Sequence, residues 1–102
     1  MIMSLERAIQ LVLGDARQND YNDHLSDDEV LANVRDTVAL RTVVGDEDDD
    51  LANAYRVYLA HHVSPTREEL LHMLRSLSTS TVWRPTVVEE VWLDRLDDGT
   101  LR

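Results

Sequence analysis

Residues 46–62 read DEDDDLANAYRVYLAHH, and this stretch decides the fold, because a block of acid turns there into an apolar helical face. Its apolar positions follow the spacing that places side chains on one side of a helix: Leu51, Ala54, Tyr55, Tyr58, Leu59 and His62. The aspartates in front of them would stabilise the helix start by about 0.3–1 kcal/mol per charge at low salt, because the macrodipole favours negative charge there. The stretch therefore predicts a central amphipathic helix. It also gives the acid block a structural role at the helix start, before any functional role is considered.

The length and composition predict one small domain. The chain has 102 residues, 43% of them hydrophobic, which suffices for a modest core in a single acidic domain spanning residues 1–102. It has no cysteine, which excludes disulfides, thiolate metal sites and cysteine nucleophiles. Glu6 interrupts the basic-then-apolar order of a secretion signal, and no run reaches the roughly 18 apolar residues of a membrane span. We therefore expect a soluble cytoplasmic protein that does not enter a membrane.

The charge is strongly negative. The chain carries 20 acidic and 10 basic residues, a formal net charge of −10, and every basic residue is arginine. Such a surface repels phosphate backbones, and the arginines are not gathered in sequence, so we do not expect direct nucleic-acid binding. A GC-rich genome would favour arginine over lysine, and a salt-adapted host would favour acid throughout. These two explanations compete with a functional one.

Capping signals divide the chain into about five short helices. Besides the aspartates before Leu51, helix starts are indicated at Ser4, at the Ser26–Glu29 capping box, at Ser64 before Pro65 with the overlapping Thr66–Glu69 box, and at the Thr86–Glu89 box. Turn formers follow the first helix near Gln18 and the last at Gly99. We predict an all-α domain with bundle-like or orthogonal packing.

Residues 37–44 are the ambiguous segment. They are rich in β-branched side chains, which favour extended backbone. No partner strand is evident elsewhere, so we keep the segment helical and end the second helix at Gly45.

Several patterns come close to metal sites without completing one. Asp46, Asp48 and Asp50 have the spacing of positions 1, 3 and 5 in an EF-hand calcium loop. Leu51 and Val57, however, stand at positions 6 and 12, where such a loop requires glycine and glutamate. Glu69 and His72 have the spacing used by di-iron bundles, but the motif occurs once. The adjacent His61 and His62 would point about 100° apart on a helix. We predict no metal and no cofactor.

Catalytic signatures are absent from the sequence. The serines at positions 4, 26 and 64 are explained as helix caps, and no cysteine nucleophile exists. Glycines are isolated and lysine is absent, which excludes a phosphate-cradling loop. We predict a protein without catalytic residues.

Residues 66–77 and 86–99, separated by a polar break, resemble the two helices of a helix-turn-helix motif. The resemblance covers the last third of the chain and implies a DNA-binding or protein-binding regulator. The chain departs from that pattern because Glu89, Glu90 and Asp94 would lie on the exposed side of the recognition helix. It also ends at Arg102, before a wing.

The leading hypothesis is a non-catalytic protein that binds a partner with a basic surface. The partner would contact two groups of carboxylates, the 27–29 acid row (Asp27, Asp28 and Glu29) and the 46–50 acid row (Asp46, Glu47, Asp48, Asp49 and Asp50). Trp83 and Arg84 would anchor the contact, since Trp and Arg are enriched at interface hot spots, although Trp83 could instead fold back onto the bundle. A concrete form is an inhibitor that presents carboxylates where phosphates would lie, as an anti-restriction or antitoxin-type regulator does.

Two alternatives belong to other classes. The chain could be a structural subunit that packs against copies of itself in a virion-like or other oligomeric particle. It could also be a helix-turn-helix-like transcription regulator that acts through its C-terminal helices.

Overall fold

The computed structural model describes residues 3–79 and 85–96, which form five α-helices, two single-turn 3-10 helices and no strand. The α-helices are α1 (Leu5–Ala16), α2 (Asp27–Thr37), α3 (Asp50–Ala60), α4 (Arg67–Thr79) and α5 (Val87–Arg95). The 3-10 helices span Asp20–Asn22 and Leu40–Thr42. The predicted all-α fold with five short helices is confirmed.

Side-chain caps fix the helix starts where the sequence predicted them. A side-chain oxygen accepts backbone N–H groups of the first turn at Ser4, Ser26, Asp49, Thr66 and Thr86. Because each cap satisfies donors that the helix itself leaves unpaired, it stabilises the start by about 0.5–2 kcal/mol. At α4 the cap is Thr66, and Ser64, predicted as an alternative, lies outside the helix.

The second helix ends earlier than predicted. It stops at Thr37, and Val38 is extended with φ −111° and ψ 115°, so the predicted end at Gly45 is wrong. The β-branched pair Thr37 and Val38 explains the early end, because such side chains lose rotamer freedom in a helix. The chain then makes the 3-10 turn at Leu40–Thr42 and continues without helix to Asp49.

Helix α3 is the centre of the molecule. It packs against α1 and α5, and seven of its residues are buried: Ala52, Asn53, Ala54, Val57, Tyr58, Leu59 and Ala60. The predicted single apolar face is too narrow, because Leu51 is 37% exposed and His62 is exposed, whereas Ala52 and Val57 are buried. Neighbours on several sides bury most of the helix surface, which one stripe of apolar residues does not anticipate.

Polar side chains tie α2 and α5 to α3. The Tyr58 hydroxyl donates to the Leu31 carbonyl at 3.1 Å and accepts from Arg35 at 3.1 Å, which joins α2 to α3. The Trp92 indole N–H donates to the Val63 carbonyl at 2.8 Å, and Arg95 donates to the Ala60 carbonyl at 2.7 Å. The end of α5 therefore lies at the end of α3.

Candidate functional site

The backbone of the 46–50 acid row is held by two side chains of α3. Arg56 donates to the carbonyl oxygens of Gly45 and, at 3.3 Å, Asp46. The Asn53 amide donates to the Glu47 carbonyl and accepts from Arg56 at 2.9 Å. Since these bonds go to carbonyl oxygens, they fix the course of the loop and leave its carboxylates unneutralised.

Most carboxylates of the 46–50 acid row have no partner within residues 3–79 and 85–96. All five side chains are exposed. The Asp49 carboxylate caps α3 by accepting the N–H groups of Leu51 and Ala52 at 3.0 and 3.2 Å. The remaining four, on Asp46, Glu47, Asp48 and Asp50, accept no hydrogen bond and form no ion pair with the described residues. These four carboxylates are therefore not neutralised by the described residues.

A larger share of the carboxylates in the 27–29 acid row have partners within the fold than in the 46–50 acid row. Asp27 forms an ion pair with Arg17, and Glu29 accepts from the Ser26 hydroxyl at 3.0 Å in the capping box. Asp28 is exposed and has no partner in the described part of the chain. This row therefore contributes one unpaired carboxylate, compared with four in the 46–50 acid row.

The two acid rows lie at opposite ends of α1. The 46–50 acid row lines a cavity with Met3 and Arg7, near the beginning of α1, whereas Asp27 contacts Arg17 just beyond its end. Ten residues separate the two arginines, which corresponds to about 15 Å along a helix. The two rows therefore lie near different ends of α1.

Three of the described arginines bind backbone carbonyl groups. Arg17 donates to the Asn22 and Leu25 carbonyls, and Arg56 and Arg95 bind carbonyls in the same way. Only two ion pairs, Arg17 with Asp27 and Arg41 with Glu69, occur among the described residues. A guanidinium offers five donors in a fixed fork, so these positions have a structural reason to be arginine.

Trp83 and Arg84, predicted to anchor the contact, lie outside the described residues. Their role stays a prediction from sequence.

A cavity of about 450 Å³ lies between α4 and α5, and sequence reasoning missed it. Apolar side chains of Leu40, Met73, Val88 and Trp92 line it together with the polar or charged side chains of Arg41, Glu68, Glu69, His72, Thr86 and Glu89. These residues come from three distant segments, so no local spacing brings them together. The sequence signal for this cavity is the pair of Thr-x-x-Glu capping boxes, because each box folds a glutamate side chain back towards a helix start.

Glu89 occupies an unusual position in this cavity. Its Oε1 accepts from the Thr86 hydroxyl at 3.2 Å, while its buried Oε2 has no hydrogen-bond partner in the described structure. Glu69 differs, because its Oε1 accepts from the Thr66 backbone N–H and hydroxyl at 3.3 and 3.0 Å and lies 3.5 Å from Arg41. A carboxylate oxygen deprived of both water and protein donors is costly, and because Oε2 is inaccessible to solvent it does not open into the cavity.

Histidines and acids do not converge in the described part of the chain. Within residues 3–79 and 85–96, no group of three His, Asp or Glu side chains could hold a metal ion. Glu69 serves the Thr66 cap and His72 is exposed, as predicted. Partial burial lowers the pKa of His61, with further lowering by Arg95 and His62. Partial burial, Arg35 and Arg95 lower the pKa of His62, whose ring packs edge-on against Tyr58 at 5.0 Å.

No protein-family model, curated protein or solved structure shows significant similarity to the chain. Among the described helices, none has the length and apolar content needed to span a membrane.

Proposed function

We propose that this protein is a non-catalytic regulator that binds the basic, nucleic-acid-binding surface of a protein partner. The observation that carries the proposal is the state of the 46–50 acid row, in which Asp46, Glu47, Asp48 and Asp50 are exposed and unpaired within the described residues. Their loop is held by Arg56 and Asn53, so the carboxylates stand on a fixed backbone. A preorganised row loses less entropy on binding than a mobile one.

The placement of the acid rows near different ends of α1 agrees with this proposal. Asp28 provides a second unpaired carboxylate, next to Asp27, which pairs with Arg17 just beyond the end of α1. A protein groove built to hold a duplex would thus meet negative charge at two separated places.

The test is a capture experiment with a matched charge control. The domain is used as bait for host lysate at low salt, and bound proteins are eluted with rising NaCl and identified by mass spectrometry. A triple variant, Asp46→Asn with Asp48→Asn and Asp50→Asn, removes three charges from the row and retains the Asp49 cap. The control makes the same change at the exposed Asp20, Asp23 and Asp36, so both variants have the same net charge.

We expect a basic, nucleic-acid-handling protein to bind the wild type and the control. The row variant should bind it about tenfold more weakly, because exposed charge pairs contribute up to about 1 kcal/mol each. Duplex DNA should compete with the domain for the partner. Equal binding by both variants, or binding that does not change with salt, would contradict the proposal. A shift of duplex DNA by the domain alone would instead favour the helix-turn-helix alternative.

A second candidate function rests on α4. Leu71, Leu74 and Leu77 are 44%, 41% and 52% exposed, and their spacing places them within one third of the helix circumference. Such a stripe favours the structural alternative, in which copies of the chain pack together. Light scattering after gel filtration at micromolar concentration tests it. A defined oligomer that dissociates in the Leu74→Ser variant, and survives the row variant, would support assembly; a monomer would rule it out at that concentration.

A further inference from the structure

We propose that helix α4 pairs antiparallel with α4 of a second copy of this chain. The contact would consist of the leucine stripe (Leu71, Leu74 and Leu77) and of ion pairs between Glu68 of one copy and Arg75 of the other. This inference rests on the second candidate function, the assembly of copies, and names the surface and the orientation through which the copies would meet.

Helix α4 leaves most of its surface uncovered by its own chain. Of its 13 residues, Met73 alone is buried. The three leucines of the leucine stripe are 44%, 41% and 52% exposed. An apolar stripe of this kind favours association, because contact with another apolar surface removes it from water.

The charge of α4 allows a second copy to approach. The helix carries two arginines and two glutamates, so its formal net charge is zero, whereas the whole chain has a formal net charge of −10. Two copies with that charge repel each other over most of their surface. A neutral helix with an apolar stripe is therefore where two copies can meet with the least repulsion.

Glu68 and Arg75 make one edge of the leucine stripe complementary to itself. Both side chains are exposed, and neither forms an ion pair with the described residues. At 3.6 residues per turn, both lie within about 60° of Leu71 on the same side of the stripe. They are seven positions apart, about 10 Å along the axis, which is too far for a pair within one helix. Neither has an opposite formal charge three or four positions away, so both charges are left for a second copy.

An antiparallel twofold pair brings these charges together. A twofold axis places the same edge of both helices side by side and reverses their direction, so Glu68 of each copy faces Arg75 of the other. The axis passes beside Leu71, midway between the two charges, so Leu71 and Leu74 of both copies pack between two equal ion pairs. A parallel pair would turn this edge towards the opposite edge of α4, where Met73 is buried in its own chain, and would form neither ion pair.

Exchange of the two charges tests this arrangement. Glu68→Arg and Arg75→Glu each place like charges opposite one another in the antiparallel pair. An equimolar mixture of the two variants, or the double variant, restores opposite charges at both contacts. Sedimentation velocity at low salt, over a concentration series from micromolar to millimolar, measures the Kd of the dimer. Circular dichroism checks that each variant is folded, and Glu68→Gln replaces Glu68→Arg if that variant does not fold.

We expect the wild type to dimerise and each single variant to dimerise about tenfold more weakly, because two ion pairs are lost in each dimer. The mixture and the double variant should regain the affinity of the wild type. Glu6→Arg is the control, because it makes the same charge change at an exposed position in the first turn of α1. It should dimerise at least as tightly as the wild type, since it reduces the net negative charge.

The outcomes separate this pairing from assembly in general. A wild type that stays monomeric throughout the series would overturn both this inference and the second candidate function, and would leave the stripe to a different protein. A dimer that Glu68→Arg and Glu6→Arg affect equally would overturn the α4 pairing and leave assembly through another surface. Weakening in both single variants without recovery in the mixture would overturn the antiparallel arrangement. None of these variants changes the 46–50 acid row, so the capture experiment stays an independent test of the first proposed function.

Discussion

Gly45 is the residue whose identity the local geometry restricts most. Its φ is +145°, a region that L side chains rarely adopt, and an added Cβ would lie 2.6 Å from the Ala52 Cβ. We expect Gly45→Ala to lower the free energy of unfolding by about 2–4 kcal/mol, since it combines backbone strain with a clash against a buried alanine. Urea unfolding monitored by circular dichroism measures the change. A loss below about 0.5 kcal/mol would show that the loop relaxes around the methyl group.

Gly14 provides the opposite case and serves as the control for that measurement. It lies inside α1, where an added Cβ meets nothing within 4 Å. Gly14→Ala should therefore raise the free energy of unfolding by about 0.5–1 kcal/mol, because alanine loses less backbone entropy in a helix. A destabilised Gly14→Ala protein would mean that this end of α1 is not helical in solution.

At the scale of elements, the loop that carries the 46–50 acid row is held by Arg56 together with Asn53. Arg56 binds the carbonyls of Gly45 and Asp46, and Asp46 in turn accepts the Asp49 N–H at 3.0 Å. Arg56→Lys should speed amide hydrogen exchange at Asp49 by about tenfold, because a lysine lacks the planar fork that spans the two carbonyls and Asn53. Arg75→Lys is the control, since the exposed Arg75 side chain makes no hydrogen bond to the described residues. Equal exchange rates in the two variants would refute the role of Arg56.

The end of α3 should respond to pH through His61 and His62. A helix C-terminus would normally favour a charged histidine, but here burial and nearby Arg95 lower the pKa of both side chains. The unfolded chain then binds more protons between the lowered values and about 6.5, so stability is lost as pH falls through that window. The thermal midpoint should thus decrease from about pH 7.5 to about pH 5.5.

A double variant isolates this contribution. His61→Gln with His62→Gln should reduce the pH dependence, whereas the same changes at the exposed His24 and His72 should retain it. Parallel curves for the two double variants would assign the pH dependence to other groups.

Local signals in the sequence predicted elements better than they predicted contacts between elements. The caps at Ser4, Ser26 and Thr86 were identifiable because a cap depends on residues three positions apart. The early end of α2 was missed because the β-branched Val38 competes with the helix, and sequence alone does not decide that competition. The burial of Ala52 and the cavity beneath Glu89 depend on neighbours distant in sequence, which no local pattern records.

At the scale of the whole molecule, the excess of negative charge produces long-range repulsion between side chains. The formal net charge is −10, and two ion pairs, Arg17 with Asp27 and Arg41 with Glu69, occur among the described residues. Arg17, Arg56 and Arg95 also donate to backbone carbonyl oxygens. Mutual repulsion between unpaired carboxylates therefore opposes the compact state, as it does in other highly charged proteins.

The repulsion between unpaired carboxylates predicts that salt stabilises the fold. The molecule measures 49 × 28 × 21 Å. At about 10 mM NaCl the Debye length of about 30 Å lets charges repel across the whole molecule, whereas at about 150 mM it falls to about 8 Å. We expect the thermal midpoint to rise by about 2–5 °C over this range. The triple asparagine variant of Asp46, Asp48 and Asp50 should start from a higher midpoint and respond less to salt, because its repulsion is already reduced. A midpoint that falls with salt would mean that attractive ion pairs outweigh repulsion, and would count against binding of a partner by unpaired carboxylates.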